Sequence, residues 1–85
     1  MSEYLWSKTH EYEALLAADL AGASPAGPSG EACLEMARAY LEDGRHFLDG
    51  DDLANALAAF AYGHGWLDAG ARLGAVDLED PNTAV

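Results

Sequence analysis

Phe47-Leu48-Asp49-Gly50-Asp51-Asp52-Leu53 separates two stretches of helical spacing by a break too short to lead anywhere but back. On its N-terminal side, Cys33, Met36, Ala37, Tyr40, Leu41, Gly44, Phe47 and Leu48 recur at three and four. On its C-terminal side, Leu53, Ala56, Leu57, Phe60, His64, Leu67 and Ala71 do the same. Such spacing puts one apolar face on each helix, and a tight connection makes the two faces meet as an antiparallel hairpin. Gly50 is read as the left-handed residue that ends the first of these helices. Asp51 is read as the cap of the next, with Asp52 in its first turn.

Working toward the N-terminus, the preceding helix starts near Gly30 with Ser29 as its cap. Ala23-Ser24-Pro25-Ala26-Gly27-Pro28-Ser29-Gly30 is a breaker-rich stretch that no helix or strand is expected to cross. Before it, Tyr4, Lys8, Tyr12, Leu15, Leu16 and Leu20, with Leu5 beside them, mark a helix over about 3–21. Ser2 caps it, and the Lys8 stem snorkels. The expectation is one all-α domain over 1–76, an antiparallel up-down-up three-helix bundle with helices near 3–21, 30–49 and 52–74. Residues 77–85 are read as a flexible acidic tail. Thr9, Val76, Thr83 and Val85 are the whole β-branched complement, which argues against a sheet. A chain this short has a thin core, so self-association is a natural source of further burial.

Charge narrows the partners. The 85 residues carry 15 acidic and 4 basic side chains, a net charge of -11, yet 51% are hydrophobic, too many for a disordered acidic tail. Lys8, Arg38, Arg45 and Arg72 are scattered, so neither nucleic acid nor an anionic membrane is expected as a partner. No apolar run approaches the ~20 residues of a membrane span, and Glu3 stands where a signal peptide needs a cation, so a cytoplasmic setting is expected. The acidity reads as adaptation to high salt, where self-repulsion is screened, or as a face that steers toward a basic partner. Cys33 is alone, which excludes an intramolecular disulfide and a multi-cysteine zinc site.

The run from Ala61 through Gly74 carries the residues most open to function. Glycine costs a helix about 1 kcal/mol per interior position relative to alanine. Gly63, Gly65, Gly70 and Gly74 therefore need a reason: close helix packing, a distorted helix, or a ligand or partner against the glycine face. His64 and Asp68, four apart, share a face where a carboxylate can orient an imidazole. Two ligands fall short of the three that a catalytic zinc site needs, and pairing about Gly50 sets only Cys33 level with Asp68. His10 and His46 do not converge on His64. No cofactor, metal or catalytic residue is expected. Trp66 falls off the apolar stripe, so it either packs over another helix, its more ordinary role, or stands exposed as an anchor; with Tyr62 and Arg72 it is of the residue types that dominate binding hot spots. Trp6 is read as its packing partner or as part of the same patch.

Tyr40 through Phe60, continuing as Ala61-Tyr62-Gly63-His64-Gly65-Trp66-Leu67-Asp68-Ala69-Gly70, resembles the archaeal domain of unknown function 357 family. That family shows a tyrosine-rich helix, a Gly-Asp turn and an Ala-Tyr-Ala-His-Gly-Trp-Leu-Asp-Ala-Gly-like run. The likeness spans about Ala32 to Gly74. Gly63 stands where the family more often has alanine, and Arg45-His46 where Lys-Tyr is frequent. The resemblance implies a small three-helix bundle in an archaeal cytoplasm, haloarchaeal given the acidity. It carries no established activity, and implies that His64, Trp66 and Asp68 belong together. The functional expectation is a non-enzymatic module that binds a protein partner or a second copy of itself through Tyr62, His64, Trp66, Asp68 and Arg72. The alternatives are a small-molecule or metal-binding protein centred on His64 and Asp68, and an acidic mimic or chaperone of a basic protein.

Overall fold

Ser2 opens the first helix by accepting the Leu5 backbone N–H on its Oγ at 3.2 Å, satisfying one of the donors a helix start leaves unpaired. In a computed structural model that describes residues 2–79, α1 spans Glu3–Ala21, α2 spans Pro28–Asp49 and α3 spans Leu53–Arg72. Two three-residue strands, β1 at Ala23–Pro25 and β2 at Val76–Leu78, complete the order α1-β1-α2-α3-β2. The fold is helical with a two-stranded sheet, and no helix among the described residues is long and apolar enough to cross a membrane.

Three boundary residues, Ser29, Gly50 and Asp51, take other roles in the structure than the sequence suggests. Helix α2 starts at Pro28, not Gly30, and Ser29 lies inside it rather than capping it. Proline suits the first helical position because its missing N–H would have had no partner there, and Gly27 precedes it at φ 91 with no side-chain cap. At the other end Gly50 has φ -96, and Asp51, at φ 60, is the left-handed residue. The cap of α3 is Asp52, whose carboxylate accepts the Asn55 backbone N–H at 3.2 Å and its side-chain amide at 2.8 Å.

The sheet corrects the expectation of none. Ala23 pairs with Leu78, Ser24 with Asp77 and Pro25 with Val76, antiparallel. Propensity was a poor guide because the helices bring the loop after α1 beside the end of α3, where their backbone groups satisfy one another. Val76 is 4% exposed and packs on Gly70, while the Glu79 N–H donates to Gly22 O at 2.8 Å. Residues 77–79 are thus held against the body of the protein. The remainder of the expected tail, 80–85, lies outside the described residues.

Leu16, Leu34, Ala37, Ala56, Phe60, Leu67 and Val76 form the core. The buried side of α1 is rotated from the expected stripe: Tyr4 is 73% exposed, and Thr9 is fully buried with Leu16. Thr9 is tolerated there because its Oγ1 donates to Leu5 O at 2.7 Å, leaving nothing unpaired. Tyr40 and Phe47, read as core, are half-buried. Helix α3 packs on α2 through glycines that admit a neighbour: Gly44 receives the Phe60 ring, and Gly63 lies against Leu16, Tyr40 and Ala37. The hairpin is centred near Asp51–Asp52 rather than Gly50, so Cys33 Sγ faces Gly70, not Asp68.

A candidate interaction face on the third helix

Helix α3 holds its inner residues against α1 and α2, and this dictates what its outer side presents. Leu53, Ala56, Phe60, Gly63, Leu67 and Gly70 face inward. By the 3.6-residue period, Ala58, Ala61, Tyr62, Gly65, Trp66 and Ala69 must then face outward, and all are exposed. Tyr62 keeps 64% of its surface in solvent, Trp66 39% and Leu73 82%. Ala61, Tyr62, Gly65, Trp66 and Ala69 line a shallow hollow of ≈ 280 Å³ on this side. The Tyr62 ring leans toward Tyr40 of α2, with centroids 5.5 Å apart, which holds it over the surface rather than free of it.

The five side chains singled out from the sequence fall into three settings. Tyr62 and Trp66 share the outward strip. Asp68 and Arg72, one turn apart at its edge, bond each other: Arg72 Nε donates to both carboxylate oxygens at 3.1 Å. Exposed pairs of this kind contribute at most ~0.5 kcal/mol. His64 turns the other way. Its Nε2 lies 3.1 Å from Tyr12 O, and its ring meets the Tyr12 ring edge-on at 5.7 Å. A carbonyl oxygen only accepts, so Nε2 is the donor in this contact. The expected His64–Asp68 hydrogen bond is absent, because each has a better-placed partner, Tyr12 for one and Arg72 for the other.

His64 and Asp68 do line a common cleft of ≈ 370 Å³ with Asp19, Gly65, Leu67 and Leu78, so Gly65 borders both this cleft and the outer hollow, and the α1 carboxylate is one that spacing along α3 could not reveal. Among the described residues no group of three or more His, Cys, Asp or Glu side chains is arranged to hold a metal ion. Cys33 packs at Gly70 instead.

Charge sets the outer strip apart. Of the 20 residues of α3, only Asp68 and Arg72 are charged, and they neutralise one another, while the whole chain carries -11. Gly65 also stands apart from the other glycines. A Cβ at Gly63 would lie 2.6 Å from Leu16 Cδ2, and one at Gly70 would lie 2.8 Å from Val76 Cγ2, so both positions are explained by packing. At Gly65 nothing lies within 4 Å.

Trp6 belongs to neither role proposed for it. It is 52% exposed and its ring packs against that of His10, tilted by 42° with centroids 4.3 Å apart, beside Arg45 and Leu48 of α2 and Leu53 at the start of α3. There Glu13 accepts from Arg45 Nε at 2.9 Å and approaches His10 Nδ1 at 3.3 Å. The spacing of Trp6, His10 and Glu13 on one helix was legible, but the Arg45 contribution from α2 was not. Leu73 and Ala69, by contrast, continue the spacing of Tyr62 and Trp66 and were readable as members of the strip.

No curated protein matches the chain. The chain is similar in structure to a protein from Archaeoglobus fulgidus solved by crystallography, with a TM-score of 0.80 and 22% sequence identity. The likeness covers 89% of this chain and 95% of that one, and shows a shared fold. The model of the family described as Protein of unknown function (DUF357) matches residues 11–76, most of the chain, and the protein belongs to that family.

Proposed function

We propose that this chain is a non-enzymatic interaction module that binds a protein through the outer side of α3. One observation carries the reading: the exposed side of α3 bears no charge but the mutually bonded Asp68 and Arg72 at its edge, in a chain of net charge -11, and it displays Tyr62, Trp66 and Leu73. Exposed aromatic side chains grouped around small residues supply contact area at little entropic cost, and such anchors dominate interface energetics. The contacts of α1 with α3 and of α2 with α3 support an up-down-up course that leaves this side of α3 uncovered. The setting we propose is a salt-rich archaeal cytoplasm, in which screening relieves the acidic surface.

The test is capture of binding proteins from a native high-salt extract by the wild type and by Trp66→Ala. The expected result is a protein retained by the wild type and lost by the variant, with unchanged helical circular dichroism. Retention by both puts the interface elsewhere. A second reading, a small-molecule site at His64 and Asp68, draws on the cleft they share with Asp19. It requires a metabolite or metal that raises the melting temperature of the wild type and fails to do so for His64→Ala.

A further inference from the structure

Resting on that reading of α3, the occupant of its outer side can be named. Gly65 costs the helix about 1 kcal/mol relative to alanine, and no atom within 4 Å accounts for it. It sits mid-strip, between Ala61 and Ala69 at one-turn steps and beside Tyr62 and Trp66. A backbone bare at that point lets another helix approach closely while the flanking rings close over it. The exposed shares of Tyr62, Trp66 and Leu73, with the neighbouring alanines, amount to roughly 500 Å² per molecule. Two such strips, wholly covered, would bury at most about 1,000 Å², which is at the lower bound for a specific interface.

Charge selects the partner and its direction. With -11 on each chain, two copies repel through their acidic sides, and the neutral α3 strip is where they meet without opposing acids. A basic partner is instead drawn to the acidic surface. If the two helices ran parallel, Asp68 would oppose Asp68 and Arg72 would oppose Arg72 across the contact. An antiparallel crossing at Gly65 removes both conflicts. It sets Asp68 opposite Tyr62 of the second copy, whose hydroxyl can donate to the carboxylate, and Arg72 opposite Ala58. We infer that a second copy of this chain docks here, α3 against α3, antiparallel about a two-fold axis at Gly65.

Sedimentation equilibrium of the full chain in molar potassium chloride, from micromolar to millimolar protein, tests this. The expected result is a reversible dimer for the wild type and for Trp6→Ala. Gly65→Glu and Trp66→Ala should weaken it by roughly tenfold or more, with circular dichroism confirming that both fold. On a Cys33→Ala background, Ala61→Cys mixed with Ala69→Cys should form a disulfide between chains that neither forms alone. A self-linked Ala61→Cys would mean parallel helices and overturn the arrangement. A dimer indifferent to Gly65→Glu and Trp66→Ala overturns the assignment of the face. A wild type that stays monomeric overturns the second copy as occupant, while Trp66-dependent capture of a different protein would still uphold the broader reading.

Discussion

A methyl group at Gly63 would lie 2.6 Å from Leu16 Cδ2 and 3.3 Å from Tyr40 Cβ, whereas one at Gly65 would meet nothing within 4 Å. The same substitution at positions two apart should therefore have opposite signs. Gly63→Ala forces Leu16, fully buried, out of its rotamer or pushes α1 away from α3, and should cost about 1–3 kcal/mol. Gly65→Ala gains helix propensity without a clash and should stabilise the monomer by about 0.5–1 kcal/mol. Urea unfolding at low protein concentration measures both, and equal effects would refute the packing assigned to Gly63. The sequence marked both glycines as costly. It had no means of saying which was already filled by the fold, because Leu16 and Tyr40 reach Gly63 from two other helices.

At the scale of the element, each boundary turns on one or two side chains. Asp52 satisfies the first turn of α3, so Asp52→Ala should cost about 1 kcal/mol. Ser29, first read as a cap, lies within α2 with no capping bond, so Ser29→Ala should change stability by less than ~0.5 kcal/mol. Chemical denaturation of the two variants separates the assigned cap from the discarded one. The strands depend on contacts distant in sequence. Val76 fills the space above Gly70 and beside Cys33, and Val76→Ala should cost about 1–2 kcal/mol. The same change should speed hydrogen exchange at the Ala26 and Glu79 amides, whose acceptors are Ala75 O and Gly22 O. An unaltered exchange rate at both would mean that Val76 does not anchor the sheet.

For the whole molecule, 15 acidic against 4 basic side chains make stability a function of ionic strength. Among the described residues, the pairs Lys8–Glu11, Arg45–Glu13 and Arg72–Asp68 are exposed or half-exposed and offset little of this repulsion. Melting temperature should rise with potassium chloride toward molar concentrations, where the Debye length falls to ~3 Å. A flat or falling series would remove self-repulsion as a governing term. What the sequence by itself determined was local: helix-length apolar spacing, the breaks between helices, the Ser2 cap and the place of Trp66 off the apolar stripe of its helix. These depend on neighbours within a turn or two of the chain, which the 3.6-residue period already encodes. The exposure of Trp66, by contrast, was decided by what the other helices leave uncovered. Only the tertiary structure decided that Asp19 joins His64 and Asp68, that His64 bonds Tyr12 rather than Asp68, and that two short stretches poor in β-branched residues pair as strands. Each of those joins residues brought together only when the helices pack, and no spacing along one helix carries that information.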